Sequence, residues 1–253
     1  MNNPSEDSQQ RLYKDLSWLW PIVSPPEDYI DETDYYSAII NKHAGIEVKS
    51  VLNLGCGGGH HDYTLKKYFN VTGIDTSESM LKLARNLNPE VSYIEGDMRN
   101  LQIDGIFDAV TIFDSIYSML TENDLASVFT TAYIYLKPGG VMLTMTEMTK
   151  ENFHQNRMSC STHVKDDIEI TFIENYFDSN PGDTICEMTL VFLIRQGGRL
   201  KIENDRHLVG IFGKRTWLDT LVKTGFNVLE EQFKPVSSED DSFPLFICTK
   251  PLV

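Results

Sequence analysis

Between residues 49 and 147 the chain alternates short apolar segments with amphipathic ones. The apolar segments have the length and composition of buried strands, and the others have helical periodicity, so the alternation predicts parallel βαβ units. The expected strands are 49–54, 70–75, 91–95, 107–113 and 140–147, and the expected helices are 60–69, 77–87 and 122–136. Thr121 and Asp124 form a capping box before the third helix, and Pro-Gly-Gly at 138–140 marks its end.

The pattern changes after residue 150. Three segments rich in Ile, Val, Phe and Thr follow, without helical periodicity, at 167–176, 184–195 and 199–211. Gly197-Gly198 joins the last two as an antiparallel hairpin. The α/β pattern resumes with a helix at 214–224 and strands at 226–233 and 243–249. The predicted fold is α/β, a doubly wound, mostly parallel seven-stranded sheet with an antiparallel β insertion.

Two further helices are expected before this core. The first, over 11–20, ends at a proline-rich loop, and the second covers about 29–44. Residues 1–10 are polar and are expected to be disordered, and an acidic loop at 237–242 separates the last two strands.

Charge and cysteine usage exclude several function classes. Asp plus Glu outnumber Lys plus Arg by 37 to 22, so a net charge of −15 opposes binding to nucleic acid. The acidity fits either a solvated surface or attraction of a cationic substrate. The four cysteines form no C-x-x-C pair, which argues against zinc and disulfides and favours the cytoplasm: Cys56, Cys160, Cys186 and Cys248. No apolar run approaches membrane-spanning length, so no membrane partner is expected.

The turn after the first strand, in VLNLGCGGGHH at 51–61, indicates a ligand site. A dinucleotide fingerprint would need a third glycine where His60 stands. The pattern present is G-x-G-x-G at Gly55, Gly57 and Gly59, which makes a wide turn with room for an amino-acid moiety.

Two carboxylates follow neighbouring strands of the predicted sheet. Asp75 closes the second strand, and Asp97 comes just after the third. Parallel strands end at one edge, so Asp75 is suited to two ribose hydroxyls and Asp97 to an adenine amino group. Either residue could instead be a helix cap or a turn former.

The motifs VLNLGCGGG, GID, GDM, FDAVTIFDSI and LKPGGVMLTM occur in this order. They resemble the successive motifs of class I S-adenosylmethionine-dependent methyltransferases, over residues 48–147, and 226–249 resembles the family's final strand pair, in which one strand is reversed. The resemblance implies a methyltransferase that uses S-adenosyl-L-methionine.

The resemblance also implies the donor-binding residues. The three glycines would approach the methionine part, Asp75 the ribose, Asp97 and Met98 the adenine, while Met80 and Phe113 would pack against the donor. The full predicted set is Asn53, Gly55, Cys56, Gly57, Gly59, Asp75, Thr76, Met80, Asp97, Met98 and Phe113. One departure is Asn53, where the family usually has an acidic residue, so no charge faces the donor's ammonium group from this position.

The segments TEMTKENF and DRHLVGIF, with the insertion, resemble N-methyltransferases that dimethylate nucleotide-linked 3-amino sugars. This resemblance implies Tyr29, Glu147 and His207 as catalytic residues. Placement after strand four adds Asp114 and Tyr117 as candidates. The subgroup often has a histidine or aromatic residue where this chain has Ser118, which leaves the proton acceptor open. Cations of the insertion could contact a diphosphate or belong to a solvated face: Arg157, Lys165, Arg195, Arg199, Lys201 and Arg206.

The sequence pattern and these resemblances predict four segments. They are an N-terminal helical lid at 1–46, a cofactor-binding core at 47–148, the β insertion over the acceptor pocket at 149–212, and completion of the core at 213–253. The expected reaction is methylation of a small molecule, most simply at an amine, with no metal. The expected assembly allows a homodimer. The alternatives are an NAD-dependent oxidoreductase, which shares the glycine turn and Asp75, and a non-catalytic donor-binding module, which Asn53 suggests.

Overall fold

The computed structural model describes residues 9–234 and 242–252. The first eight residues of the polar N-terminus and all but the last residue of the predicted acidic loop at 237–242 lie outside this range. The described strands are β1 (Ser50–Leu54), β2 (Asn70–Asp75), β3 (Ser92–Glu95), β4 (Phe107–Ile112), β5 (Leu136–Met145), β6 (Arg157–Lys165), β7 (Ile168–Phe177), β8 (Ile185–Gln196), β9 (Arg199–Gly210), β10 (Asn227–Phe233) and β11 (Phe243–Thr249). The described α-helices are α1 (Trp20–Val23), α2 (Ile30–His43), α3 (Asp62–Leu65), α4 (Glu78–Leu87), α5 (Glu122–Tyr135) and α6 (Lys214–Thr224).

Seven of the described strands form one sheet in the order β10-β11-β5-β4-β1-β2-β3. β1 to β5 pair in parallel, and β11 runs antiparallel to both of its neighbours. Successive side chains of a strand point to opposite faces, so Leu52 joins the core under α5 and α6, while Val51 joins the core under α2. Both faces are therefore covered, as a parallel sheet requires. The predicted fold is confirmed.

The insertion is a four-stranded antiparallel sheet in the order β6-β7-β8-β9. Gly197 and Gly198 both have positive φ, 56° and 76°, which confirms the predicted hairpin. The sequence did not predict β6. Its residues are almost all exposed and show no apolar alternation, because this edge strand pairs only with β7 among the described strands.

Three predicted elements differ from the structure. The helix expected over 60–69 is only α3, because hydrogen bonds to the third preceding residue tighten its end before β2 starts at Asn70. The helix expected over 11–20 is two 3₁₀ turns, Arg11–Tyr13 and Ser17–Leu19, followed by α1. The Pro-Gly-Gly at 138–140 lies inside β5, where a shift of register against β4 accommodates it. The capping box of α5 is confirmed.

The N-terminal turns pack on the second sheet. Leu12, Leu16 and Leu19 are buried against Leu190 and Phe192. The backbone N–H of Leu12 donates to Asp205 Oδ2 of β9 at 2.7 Å. Apolar side chains therefore dock this segment on the second sheet, although its backbone is not the continuous helix that the sequence predicts. Within the described residues, no helix is both long and apolar enough to cross a membrane.

Candidate active site

The glycine turn connects β1 to α3 at the carboxyl edge of the sheet. Gly55, Gly57 and Gly59 have φ values of 71°, 53° and 77°, which side chains with a Cβ rarely adopt. The N–H of Gly57 donates to Asp75 Oδ2 at 2.8 Å, and the N–H of Ser77 donates to Asp75 Oδ1 at 2.8 Å. Backbone hydrogen bonds thus fix the turn to the tip of β2.

The three glycines differ in what surrounds them. A Cβ on Gly55 would lie 2.2 Å from Ser115 Cβ, and one on Gly59 would lie 2.7 Å from Asn88 Nδ2. A Cβ on Gly57 would have only the Met80 methyl nearby, at 3.6 Å. Packing of the protein itself therefore requires glycine at 55 and 59, whereas Gly57 leaves its backbone open to a ligand.

Asp75 is placed to accept further hydrogen bonds. Each of its carboxylate oxygens accepts one backbone N–H and keeps a second lone pair. Burial raises the pKa of Asp75, and the N–H groups of Ser77 and Gly57 oppose that rise. A pair of ribose hydroxyls fits these two acceptors, so the residues present suit an adenosyl group.

The third strand ends at a cavity of about 340 Å³ that Glu95, Gly96 and Asp97 line. Asp97 already accepts two hydrogen bonds from the Arg99 guanidinium, at 2.6 and 3.0 Å, and this pairing lowers the pKa of Asp97. Met98 is buried in the core rather than open to solvent. The roles of Asp97 and Met98 at adenine stay predictions.

Asn53 faces a buried carboxylate. Its Nδ2 donates to Asp62 Oδ1 at 2.8 Å, and its Oδ1 accepts from Thr111 Oγ1 at 3.1 Å. Asn53 is 2% exposed and Asp62 is 0% exposed. Burial raises the pKa of Asp62 to about 6, although the Asn53 hydrogen bond opposes the rise. The resemblance expects an acidic residue at position 53, and the structure instead has an acid, Asp62, in direct contact with Asn53.

A second cavity, of about 210 Å³, lies where β4 and β5 end beneath the N-terminal segment. Tyr29, His61 and Met145 are among its lining residues. Four carboxylates also line it: Asp28, Glu32, Asp114 and Glu147. The structure brings the predicted residues Tyr29 and Glu147 together here.

Two of these carboxylates hold protons unusually well. Burial raises the pKa of Glu32 to about 8, and the charges of Asp114 and Glu147 add to the rise. Desolvation raises the pKa of Asp114 to about 6. Nearby, burial lowers the pKa of His61 to about 3, so its ring is neutral at pH 7. The cavity therefore combines anionic groups with groups that can exchange protons near neutral pH.

Backbone and ring contacts hold the walls of this cavity. The N–H groups of Glu147 and Met148 donate to the Tyr117 hydroxyl oxygen at 2.6 and 3.2 Å. The ring of Phe113 packs against those of His61 and Tyr36, with centroid distances of 4.2 and 4.9 Å. Tyr117 thus orients the segment that carries Glu147, and Phe113 packs against His61, which lines the cavity.

Residues 51–140 match the family described as a methyltransferase domain. A dTDP-3-amino-3,4,6-trideoxy-alpha-D-glucopyranose N,N-dimethyltransferase from Streptomyces venezuelae is 24% identical over 205 residues, which cover 80% of this chain and 85% of that protein. A dTDP-3-amino-3,6-dideoxy-alpha-D-glucopyranose N,N-dimethyltransferase from Streptomyces fradiae is 30% identical over 138 residues, 54% of each chain. The chain is a class I S-adenosylmethionine-dependent methyltransferase.

Solved structures agree with the fold of this methyltransferase. The crystal structure of DesVI from Streptomyces venezuelae has a TM-score of 0.81 at 22% identity, covering 99% of this chain and 100% of that one. The amino pentose methyltransferase CalS10 from Micromonospora echinaspora has a TM-score of 0.77 at 20% identity, covering 88% and 91%. The predicted family and enzyme class are confirmed, and the comparisons do not favour the oxidoreductase.

His207 of the methyltransferase does not line the cavity of about 210 Å³. It is buried in β9, where its Nε2 lies 2.6 Å from Asp205 Oδ2 and its ring packs edge-on against Tyr13 at 5.0 Å. Burial raises the pKa of Tyr13, and Asp75 and Asp114 add to the rise. His207 thus contacts Tyr13 and Asp205 instead of lining this cavity, and its catalytic role stays a prediction.

The sequence did not predict Glu32 and His61 as site residues, although both line this cavity. It placed them only within the helices expected at about 29–44 and at 60–69. Their signal was weak because each lies on the N-terminal segment or just after the glycine turn, and only tertiary docking brings them together. The acidic face of α2, with Glu32 beside the buried Tyr36, was the available hint.

Proposed function

We propose that this methyltransferase transfers a methyl group from S-adenosyl-L-methionine to an amine nitrogen of a small molecule. The observation that carries the proposal is the carboxylate-lined cavity at the ends of β4 and β5. The glycine turn, with the open backbone of Gly57, follows β1, which pairs with β4 at the same carboxyl edge of the sheet. The relatives named above act on amino groups of sugars, which supports an amine acceptor.

The geometry of the glycine turn and Asp75 supports a binding site for the methyl donor at this edge of the sheet. Asp75 would accept from the ribose hydroxyls, Gly57 would let the backbone approach the methionine part, and Met80 would pack beside the turn. The donor supplies an activated methyl group on a sulfonium. The chain's part is to align the acceptor with that methyl, because alignment accounts for much of the rate enhancement when the leaving group is neutral.

The acceptor end would handle the proton. Tyr29, Glu32 and Glu147 surround the space in which an amine would lie. An amine reacts only when it is unprotonated, so a carboxylate with a raised pKa is a suitable proton acceptor. Cytoplasmic location, a homodimer and the division into four segments stay predictions.

Isothermal titration with S-adenosylmethionine and S-adenosylhomocysteine tests the donor, and titration with NADH tests the oxidoreductase alternative. Turnover on matched amine and hydroxyl compounds then tests the reaction. We expect binding of both sulfur compounds, none of NADH, and methylation of amines. Donor binding without turnover on any acceptor would favour the non-catalytic module, and no donor binding by folded protein would overturn the proposal.

A further inference from the structure

Building on the function proposed above, we propose that the acceptor is an amine without a phosphate group, bound as an ammonium ion beside Glu32 and Asp114, and that Glu32 takes its proton. The acceptors of the relatives are dTDP-linked sugars. The chemistry of this cavity points to a different class, a cationic amine that carries no nucleotide.

The charges on the cavity wall are the first observation. Four carboxylates reach it from separate parts of the chain: the turn at Pro26–Tyr29, helix α2, and the segments after β4 and β5. Among the described residues that line the cavity, none is Lys or Arg. A diphosphate next to these groups would meet like charges in a low-dielectric site, whereas an ammonium ion would be attracted.

Three of the six cations of the insertion are engaged in ion pairs away from the cavity. Arg195 pairs with Glu169 at 3.6 Å, Lys201 with Glu203 at 2.7 Å, and the Arg206 Nε donates to Glu187 at 2.6 Å. These ion pairs indicate that the three cations belong to a solvated face and not to a diphosphate-binding site. The other three are exposed: Arg157, Lys165 and Arg199. Arg157 is the one to test, because it lies opposite Tyr176 at the start of β6, and Tyr176 neighbours Glu147 and Tyr117.

His61 provides a second, independent observation. Its Nδ1 shares a hydrogen bond of 2.9 Å with Thr33 Oγ1. Its Nε2 is fully buried, has no hydrogen-bond partner within the described residues, and lies 3.8 Å from Glu32 Oε1. A buried polar atom without a partner is costly, so its presence beside a cavity indicates a polar ligand. The neutral ring adds no positive charge that could offset the carboxylates.

Glu32 is the carboxylate best placed to accept a proton. The groups that face it are Asp28, Tyr29, Tyr36, His61, Asp114 and Glu147. None of these is a cation at pH 7, and burial with two neighbouring charges raises the pKa of Glu32 to about 8. An approaching ammonium ion would favour the ionised form of Glu32. The pKa values of the two groups would then be close enough for a proton to pass from the ammonium ion to the carboxylate.

The proposed step balances in atoms and electrons. An N–H bond of the ammonium ion breaks, and its proton forms an O–H bond on the Glu32 carboxylate. The nitrogen lone pair then bonds to the methyl carbon, and the electron pair of the broken carbon–sulfur bond stays on the sulfur. Loss of one further proton from the methylated ammonium product leaves a tertiary or secondary amine.

The first experiment needs only the wild-type chain. It compares kcat/KM for free amino sugars and simple diamines with kcat/KM for one amino sugar linked to a nucleoside diphosphate. We expect the free amines to be at least about tenfold better substrates. A preference for the nucleotide-linked acceptor would overturn the inference while leaving amine methylation intact. No methylation of any amine would instead overturn the proposed function.

Three variants sharpen the result. Glu32→Gln should lower kcat/KM for the free amine about 10- to 100-fold while donor affinity is unchanged. The control Glu27→Gln changes an exposed carboxylate in the neighbouring turn and should have no effect. Arg157→Gln should also have no effect, and a loss specific to the nucleotide-linked acceptor would contradict the inference.

The pH dependence of kcat/KM distinguishes ionisation of Glu32 from ionisation of the acceptor amine. The wild type should show a rise of kcat/KM with pH whose midpoint is the same for two amines of widely different pKa. Glu32→Gln should lose that rise. A midpoint that follows the pKa of the amine would show that Glu32 does not take the proton.

Discussion

The two ends of the proposed site, one for the methyl donor and one for the acceptor, are built differently. At the donor end, a backbone N–H of the glycine turn and a carboxylate on the adjoining strand tip meet at 2.8 Å, between Gly57 and Asp75. At the acceptor end, Asp114 and Glu147 follow the paired strands β4 and β5, and Glu32 joins them only when α2 packs against this sheet. The donor end therefore depends on local backbone geometry, and the acceptor end depends on tertiary packing.

The largest expected effect belongs to the donor end. Asp75→Ala removes both acceptors proposed for the ribose, and hydrogen bonds to a charged group contribute about 1.5–3 kcal/mol each. Affinity for S-adenosylmethionine should fall at least about 100-fold in isothermal titration. Because Asp75 also accepts from Gly57 and Ser77, thermal unfolding must be followed in parallel.

Asp104→Ala, at an exposed carboxylate, is the control for this change and should bind the donor normally. Asp75→Asn keeps one acceptor oxygen and should be intermediate. A folded Asp75→Ala protein with donor affinity within about threefold of the wild type would remove Asp75 from the donor site.

Restoring the acid expected at position 53 is the next test. Asn53→Asp would place a carboxylate against Asp62, where the amide now lies 2.8 Å away, and a buried unpaired charge costs about 3 kcal/mol or more. The cost should grow as pH rises from 3.8, the ordinary carboxyl pKa, through about 6, the raised pKa of Asp62, because the unfolded chain releases a proton over this range that the folded pair retains. Chemical denaturation at pH 5 and pH 8 measures this difference.

The double variant Asn53→Asp with Asp62→Asn restores one acid and one amide in exchanged positions. It should recover most of the lost stability, which a double-mutant cycle would report as a strong coupling between the two sites. If both variants unfold alike, the pair does not act as a unit.

The sequence predicted the donor end better than the acceptor end for this same reason. Glycines, strand ends and Asp75 lie within one short stretch, so their spacing alone places them at a shared edge. Glu32 and His61 have no such spacing, since their meeting depends on how α2 packs against α3 and the first sheet. Strand β6 escaped prediction because an exposed edge strand carries no apolar alternation.

The glycines allow a direct comparison within one turn. Gly59→Ala forces a Cβ to within 2.7 Å of Asn88 Nδ2, so we expect a loss of about 2 kcal/mol in unfolding free energy. Gly57→Ala meets only Met80, so its stability cost should be about 1 kcal/mol, from the positive φ alone. Among variants that fold, Gly57→Ala should lower the affinity for S-adenosylmethionine more than Gly59→Ala does.

The two variants are compared by chemical denaturation and by donor titration. Equal losses of stability would show that the crowding at Gly59 relaxes easily. Unchanged donor affinity in Gly57→Ala would show that the donor does not approach the turn at this residue.

The smallest expected effect concerns a hydrogen bond, called the anchor below, that links Trp20 of the N-terminal segment to His60 after the glycine turn. Trp20 Nε1 donates to His60 Nδ1 at 3.1 Å, which ties α1 to the end of the glycine turn. Trp20→Phe keeps the apolar ring but leaves the His60 nitrogen without its donor, a loss of about 1 kcal/mol. Because this bond holds the segment that leads to Glu32, the KM for the acceptor should rise several-fold while donor affinity stays the same. Trp18→Phe, at an exposed ring, is the matched control.

The anchor also has a pH dependence with a defined sign. Burial lowers the pKa of His60 from 6.5 to about 4, so the unfolded chain binds this proton more readily than the folded one. The stabilisation is complete above pH 6.5 and is lost as pH falls towards 4. The hydrogen-exchange protection factors of residues 17–29, which are corrected for the intrinsic pH dependence of exchange, should therefore fall over this range in the wild type. Trp20→Phe should show the lower protection already at pH 7. An acceptor KM that is unchanged in Trp20→Phe despite faster exchange would show that the acceptor end tolerates movement of its cover, which would weaken the contrast between the two ends.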